Sequence, residues 1–275
     1  MKRSNRLVAL TNFFLENPRK HKQLPYFVKT LNTTKSSISE DLDIIHTVFQ
    51  SEELGYLKRV TGAAGGVQYI PEYSHEKSIQ FTYELCKMLE DPVRILPGGY
   101  LYMSDLLGNP KTVREIGRVF ASVFSQLDID VVMTVATKGI PLAYAVASFL
   151  DVPVVIVRRD PKVTEGSSVS INYVSGSSRR IQTMVLPKRS LKEGSNVCII
   201  DDFMKAGGTI NGMINLLNEF NANVTAIGVL AEADDEEEER VVEGYTSLVK
   251  ITNVDIKQNY IEVHPGNYKD KSTRT

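Results

Sequence analysis

One segment of the sequence ends an apolar run with two carboxylates and leads directly into a glycine-rich turn. The run 197–200 (Val-Cys-Ile-Ile) precedes Asp201 and Asp202, and Gly-Gly-Thr at 207–209 opens a predicted helix. Glycines let backbone N–H groups close around an anion, and a helix N-terminus favours negative charge there. Paired aspartates accept hydrogen bonds from two vicinal hydroxyls. The pattern predicts a site for a 5-phosphoribose; a strand with an acidic end and an ordinary turn is the structural alternative.

The elements around this loop alternate between apolar strands and helices. We predict a connecting helix from about residue 74 to near residue 92, and an alternation of strands and helices after it. Near-continuous Val and Ile runs separated by helices indicate a parallel sheet covered on both faces. Ligands of such sheets lie at the carboxyl ends of the strands. The predicted strands are 131–136, 153–157, 197–200 and 224–230, and the predicted helices between them are 141–150 and 208–220.

The acidic strand and its loop resemble the phosphoribosyl pyrophosphate (PRPP) motif of type I phosphoribosyltransferases. That motif is a hydrophobic strand, Asp-Asp, three or four residues and then Gly-Gly-Thr. The resemblance implies that the aspartates hold the ribose hydroxyls and that residues 205–209 cradle the 5-phosphate. Ala206 stands where the family usually has Thr or Ser, so one hydroxyl donor is missing. The implied contact residues are Asp201, Asp202, Phe203, Met204, Lys205, Ala206, Gly207, Gly208 and Thr209.

Other segments match further parts of the same family. The run Ala136, Thr137, Lys138 and Gly139 follows a predicted strand, as the family's diphosphate loop does. The resemblance implies that this loop holds pyrophosphate, together with any magnesium that PRPP carries. A plain strand-to-helix turn with a surface lysine is the alternative. Arg158 and Arg159, which end the next strand, are candidates for further pyrophosphate contact.

Two more segments flank the predicted site. The run 96–105 resembles the entry segment of adenine and xanthine phosphoribosyltransferases, and Tyr102 is the candidate to lie over a base; a core tyrosine is the alternative. The run 162–180 occupies the place of the family's hood loop, and its Gly and Ser content suits a mobile lid.

The first seventy residues have a different pattern. Apolar residues at helical spacing predict helices at 6–15, 24–31 and 37–49, with Ser4 or Asn5 capping the first. The period then changes, and 56–60 and 66–70 read as two strands joined by a glycine-rich turn. Three helices followed by a hairpin describe a winged helix-turn-helix. We therefore predict a domain of the all-α/winged helix-turn-helix class, three helices with a hairpin wing, over residues 1–73 and an α/β phosphoribosyltransferase fold, with a mostly parallel central sheet, over 74–275.

The N-terminal domain is also the basic part of the chain. Residues 1–73 carry ten basic and seven acidic side chains, a net charge of +3, so the remainder of this protein of net charge −1 carries −4. A helix with Ser and Lys at its start can enter a major groove, and flanking cations can neutralise phosphates. A protein-interaction or dimerisation module is the alternative. The candidate DNA contacts are Lys2, Arg3, Arg6, Lys35, Ser36, Ser37, Ser39, Lys58 and Arg59.

The whole layout resembles the purine operon repressor family of Gram-positive bacteria. The resemblance rests on the DNA-binding head followed by Thr-Lys-Gly-Ile-Pro-Leu-Ala, Ser-Ile-Asn-Tyr-Val-Ser-Gly-Ser-Ser and Asp-Asp-Phe-Met-Lys-Ala-Gly-Gly-Thr. It implies a homodimer that binds double-stranded operator DNA near purine genes and is released by PRPP, without catalysing transfer. An active purine phosphoribosyltransferase with an N-terminal interaction domain is the alternative.

Composition and residue spacing also bear on cellular location, metal binding and catalysis. No apolar run approaches the ~20 residues that cross a bilayer, and no signal peptide is expected, so we predict a cytoplasmic protein. Cys86 and Cys198 lack metal-ligand spacing and are predicted core residues, and the four histidines suggest no catalytic pairing. We therefore assign neither catalytic residues nor a metal site. The acidic run 234–239 is predicted to begin a solvated helix before Val241.

Overall fold

The structure is a computed structural model that describes residues 1–62, 65–97, 100–160, 166–174, 180–233 and 240–268. The chain divides into two compact units, of which the first contains Met1–Ser74 and the second contains His75–Ala147 and Val152–Thr275. Within the described ranges no helix is both long enough and apolar enough to span a membrane.

Three helices and one hairpin build the first unit. Their order confirms the predicted winged-helix arrangement, and the two strands pair in antiparallel register. The side chains that the helices bury recur at three- and four-residue spacing, as in Ile38, Leu42, Ile45 and Phe49. The elements are α1 (Arg3–Glu16), α2 (Leu24–Leu31), α3 (Lys35–Ser51), β1 (Gly55–Val60) and β2 (Gly66–Pro71).

The predicted ends of two helices are wrong. α1 begins at Arg3, so Ser4 and Asn5 lie inside the helix and cannot cap it. α3 begins at Lys35 because Thr34 is its N-cap and accepts a hydrogen bond from the Ser37 backbone N–H at 3.2 Å. Lys35 and Ser36, which precede the predicted helix start at residue 37, therefore belong to the first turn of α3.

The second unit has a six-stranded sheet with helices packed on it. Its elements are α4 (His75–Leu89), β3 (Ile95–Leu96), β4 (Tyr100–Leu101), α5 (Ser104–Gly108), α6 (Pro110–Val123), β5 (Val131–Val135), α7 (Gly139–Leu150), β6 (Val154–Val157), β7 (Ser168–Val174), β8 (Ile181–Pro187), β9 (Asn196–Met204), α8 (Gly208–Asn218), β10 (Asn223–Ala233), β11 (Thr246–Asp255) and β12 (Tyr260–Pro265). The strand order is β12-β11-β10-β9-β5-β6, and every pair except β11–β12 is parallel. The mostly parallel α/β sheet is thereby confirmed.

Strands β7 and β8 form a separate antiparallel hairpin beside the sheet. Arg158, just after β6, and Val185 of β8 exchange both backbone hydrogen bonds, at 3.1 and 2.7 Å. The same hairpin packs on α8, where Tyr173 and Met184 lie against Gly212. Residues 168–174 of the segment predicted as a lid thus form one strand of this hairpin, while residues 162–165 and 175–179 of that segment lie outside the described residues.

The chain after β10 contains the acidic run that we predicted to begin a helix, and it returns to α4 at Tyr268. The acidic run 234–239 lies outside the described residues, and residues 240–243 after it are not helical. Tyr268 is fully buried and donates its hydroxyl to the Ser78 carbonyl at 3.3 Å, so the chain is still held to α4 at that residue.

Candidate functional site

The two aspartates lie within a sheet strand. β9 continues four residues beyond the predicted end and pairs with β10 through Asp201–Val229, Phe203–Ala231 and Met204–Glu232. β10 is long enough to supply these partners, which is why the strand does not end at Ile200. The backbone that carries both carboxylates is consequently held by ladder hydrogen bonds.

Burial perturbs both carboxyl groups. Asp201 is only 6% exposed, and its Oδ1 accepts the backbone N–H of Asp202 at 3.0 Å. Burial and then the neighbouring charge of Asp202 raise the pKa of Asp201 well above its usual value. Burial also raises the pKa of Asp202, which the positive charge of Lys138 partly opposes. Buried carboxylates of this kind gain most from donors that a ligand brings.

The predicted diphosphate loop meets the acid pair at the same edge of the sheet. A Cβ added to Gly139 would lie 3.4 Å from Asp201 Oδ1 and would collide with Thr134 Oγ1. Thr134 is fully buried, and among the described residues its hydroxyl has no hydrogen-bond partner. The Ala136–Thr137 peptide bond is cis, and the Ala136 N–H donates to Val157 at 2.9 Å. Only glycine fits where this loop passes the acid pair.

The loop after β9 forms the N-terminus of α8. We call residues 205–209 the phosphate loop. Gly207 has φ 88°, in the left-handed region that favours glycine, and its carbonyl accepts the Asn211 N–H at 2.8 Å. α8 then starts at Gly208. The N-terminal N–H groups of α8 are thus presented beside the acid pair, as anion binding at a helix start requires.

A tyrosine of the hairpin, Tyr173, lies beside the acid pair and the phosphate loop, and no role for it was predicted. Burial raises the pKa of Tyr173, while the charge of Arg159 and a hydrogen bond with Thr209 oppose that rise, and Asp201 adds to it. Its hydroxyl donates to Gln182 Oε1 at 2.8 Å. The hairpin therefore reaches the phosphate loop through Tyr173, and the charge of Arg159 acts on the hydroxyl of the same tyrosine. Tyr173 stands in the quoted Ser-Ile-Asn-Tyr motif, which was the available signal.

Tyr102 is held by an arginine and is not a core residue. Its side chain is 44% exposed, so the core alternative is wrong. The Tyr102 N–H donates to the Arg94 carbonyl at 2.8 Å, and Arg94 Nη1 donates to the Tyr102 carbonyl at 2.9 Å. Arg94 also forms a two-pronged ion pair with Asp105, which lowers the pKa of that carboxyl. Tyr102 is thus fixed at its backbone, and its place over a base stays a prediction.

Several predicted DNA contacts are already engaged inside the first unit. Arg6 is buried and donates to Asp41 Oδ2 at 2.7 Å, and Arg3 donates to Asp41 Oδ1 at 3.2 Å. Arg59 is paired with Asp43 at 2.6 Å. Their first role is to join α1 and β1 to α3. Of the other predicted contacts, Lys35 and Ser36 at the start of α3 and Lys58 on the hairpin are exposed, Ser37 and Ser39 are half-buried, and Lys2 is exposed before α1.

Comparison with known proteins assigns the family. Residues 2–71 match the family described as bacterial purine repressor, N-terminal, and residues 103–265 match the phosphoribosyl transferase domain. The purine biosynthesis transcriptional repressor PurR of Bacillus subtilis (strain 168) is 59% identical over 267 residues, which cover 97% of this chain and 93% of the relative. The chain belongs to the purine operon repressor family.

Membership of this family does not by itself determine whether a protein represses or activates transcription. The purine biosynthesis transcriptional activator PurR of Lactococcus lactis subsp. lactis (strain IL1403) is 46% identical over 272 residues, covering 98% of this chain and 100% of the relative. The family thus includes both a repressor and an activator. A crystal structure of adenine phosphoribosyltransferase from Thermoanaerobacter pseudethanolicus matches 61% of this chain and 98% of its own, with a TM-score of 0.52 and 22% identity. That likeness shows the fold.

Proposed function

We propose that this protein is a DNA-binding transcriptional regulator of purine biosynthesis and transport genes, acting as a repressor whose affinity for operator DNA falls when PRPP binds. The observation that carries the proposal is one chain that joins a purine-repressor N-terminal domain to an acid pair beside a phosphate loop. Neither part alone would connect a metabolite to a gene.

The residues at the sheet edge fit the chemistry of PRPP. The carboxylates of Asp201 and Asp202 accept hydrogen bonds from the two ribose hydroxyls, and the phosphate loop offers backbone N–H groups to the 5-phosphate. Lys138, whose charge acts on Asp202, and Arg159, whose charge acts on Tyr173, supply positive charge for the pyrophosphate. Magnesium would arrive with PRPP; among the described residues no three His, Cys, Asp or Glu side chains form a metal cluster.

The second unit has the fold of an enzyme, and we propose that it serves as a sensor. Membership of a family of transcriptional regulators supports a sensing role. The alternative is a purine phosphoribosyltransferase with an N-terminal interaction domain. The two differ in what they consume, because an enzyme converts PRPP and a base to a nucleotide and pyrophosphate, whereas a sensor releases PRPP unchanged.

Regulation requires PRPP to bind the DNA-free state more tightly than the DNA-bound state. A coupling free energy of ~1–3 kcal/mol, the usual allosteric range, would weaken operator binding by roughly five- to 150-fold. We further propose that the DNA-bound species is a homodimer, since an operator with two half-sites is matched by a protein with two-fold symmetry.

The test is binding of a purine-operon control fragment at fixed salt, with and without PRPP and magnesium. We expect tight binding that weakens when PRPP is added. Asp201→Ala with Asp202→Ala should bind the fragment normally and ignore PRPP, whereas Lys35→Ala should bind it weakly and still respond. Absence of specific binding in the wild type, together with nucleotide formation from a purine base and PRPP, would establish the enzyme instead.

A further inference from the structure

A buried carboxylate lies at the end of the strand next to the acid pair. Glu232 of β10 is 3% exposed and is the ladder partner of Met204 in β9. Its Oε1 accepts the Ser247 hydroxyl at 2.6 Å, and its Oε2 accepts the Tyr245 hydroxyl at 2.6 Å and Arg240 Nη1. A buried carboxylate is stable only when its oxygens are well supplied with donors, and here three donors converge on it.

The arginine in this cluster is fixed on more than one side. Arg240 Nη2 donates to the Ala233 carbonyl at 3.3 Å, and the guanidinium carbon lies 5.4 Å from the centre of the Tyr245 ring. Asn267 in turn donates to the Tyr245 carbonyl at 3.2 Å and accepts the Ser247 N–H at 2.8 Å. The position of Arg240 is therefore set by the sheet, and the residues that follow it start from a defined point.

Those following residues contact the phosphate loop. The Val241 N–H donates to the Ala206 carbonyl at 3.0 Å. The Val242 side chain covers Gly207, because a Cβ added there would lie 3.1 Å from Val242 Cγ2. We call Arg240, Val241 and Val242 the bracing segment. It therefore bonds the carbonyl of the Ala206–Gly207 peptide and packs beside the Cα of Gly207.

The peptide bond between Ala206 and Gly207 is planar, so the direction of its carbonyl determines the direction of its N–H. In a trans peptide the C=O and the following N–H point in opposite directions, so fixing one fixes the other. Val241 fixes the Ala206 carbonyl, and the Gly207 N–H must then point away from the bracing segment. Gly207 is the N-cap of α8, so its N–H is the first of the group that an anion at this helix start would meet.

We propose that Arg240 is a positioning residue for the phosphate loop. Its ion pair with buried Glu232 anchors the bracing segment, which orients the Ala206–Gly207 peptide and so sets the affinity for a phosphate monoester at the start of α8. The inference rests on the proposed PRPP site, and it adds a residue that sets the ligand affinity of that site without contacting a ligand atom. A ligand site whose donors are held in place by a supporting shell binds more tightly than the same donors left loose.

The test separates the two ends of the proposed site by calorimetry on the full-length protein. Ribose 5-phosphate probes the phosphate loop, and inorganic pyrophosphate probes the loop at 136–139. For Arg240→Met we expect the Kd for ribose 5-phosphate to rise about ten-fold or more, as for supporting residues at other ligand sites. The Kd for pyrophosphate should stay within about two-fold, since Arg240 has no described contact with that loop. Arg189→Met, an exposed arginine of the same unit, is the control.

Two further variants test whether Arg240 acts through the bracing segment. Arg240→Lys, which keeps the charge opposite Glu232, should recover part of the loss, and Val242→Ala should reproduce it without touching the ion pair. If Arg240→Met does not fold, Val242→Ala carries the test. An unchanged Kd for ribose 5-phosphate, or an equal loss for both ligands, would overturn the inference. A wild-type protein that binds neither ribose 5-phosphate nor PRPP would instead overturn the proposed function.

Discussion

Arg59 of β1 donates to Asp43 of α3 at 2.6 Å, and the same guanidinium reaches the Ser39 hydroxyl at 3.3 Å and the Ser39 carbonyl at 3.1 Å. The hairpin is thereby joined to the helix that we expect to enter the major groove. The pair also places an acidic side chain on a surface proposed to face phosphates. Arg59 is thus partly neutralised within the protein.

This pair predicts a substitution that strengthens DNA binding. Asp43→Asn removes the acid and releases Arg59, so operator affinity should rise. The slope of log K against log salt should steepen by up to about 0.9, the value for one phosphate contact. Asp128→Asn changes the net charge equally in the second unit and is the control. An unchanged slope in Asp43→Asn would mean that Arg59 does not reach a phosphate.

Asp41 anchors α1 to α3 through two arginines of unequal burial. Breaking a buried pair costs about 3–5 kcal/mol, and Arg6→Met leaves the buried Asp41 with only the half-exposed Arg3 as its partner, so the first unit should lose up to about that amount of stability. Arg3→Met removes the exposed partner and should cost less than about 1 kcal/mol. Hydrogen exchange of α1 and α3 peptides measures both. Replacing both members, as Arg6→Met with Asp41→Leu, should restore most of the protection.

The close approach of the 136–139 loop to the acid pair predicts that Gly139→Ala weakens ligand binding and that a second substitution restores it. Gly139→Ala would drive its Cβ into the Thr134 hydroxyl, so the loop must shift and pyrophosphate or PRPP binding should fall at least about ten-fold. Gly108→Ala adds a methyl group in open space and should have no effect. Adding Thr134→Ala to Gly139→Ala removes the colliding atom and should recover binding. Failure of that double variant to recover would show that Gly139 is needed for another reason.

The raised pKa of Asp201 predicts how the ligand-free protein responds to pH. A carboxyl whose pKa is raised by folding contributes stability below its unfolded pKa, and that contribution is lost as the pH rises through its folded pKa. Asp201→Asn keeps an oxygen for the Asp202 N–H but cannot ionise. Its melting temperature should therefore exceed that of the wild type at neutral pH, by about 2–4 °C for each kcal/mol, and the gap should close in acid. Asp128→Asn should show no such gap.

Local patterns were enough to predict the elements with strong periodicity. Helix α2 matched from Leu24 to Leu31, because Pro25 and the αL residue Asn32 mark its ends. Strand β9 was predicted too short, since two aspartates read as an exit from a strand. What held them in the sheet was β10, a partner more than twenty residues away, and pairing of that kind is invisible to local pattern.

Some residues of the candidate site could likewise be predicted from local sequence, and others could not. Asp201 and the Gly-Gly-Thr turn were found because their side-chain chemistry and spacing are adjacent in sequence. Glu232, Arg240 and Tyr173 were missed because their links to the site join residues about 30 or more positions apart. Glu232 pairs with Met204, Tyr173 contacts Thr209, and Arg240 acts on Ala206 through its neighbour Val241. Arg6 and Arg59 show the converse, since a basic residue near a recognition helix reads as a phosphate contact until its acidic partner is located.

The continuation of β9 through Asp201 to Met204 has a consequence for how a ligand is received. Because ladder hydrogen bonds to β10 hold this backbone, the two carboxylates need little ordering when a ligand arrives. The entropy lost on binding then falls mainly on the side chains and loops around them, and rigid acceptors lose less affinity to ordering than mobile ones. Slow amide exchange from Asp201 to Met204 in the ligand-free protein, little altered by ligand, would show that this part of the binding site is preformed.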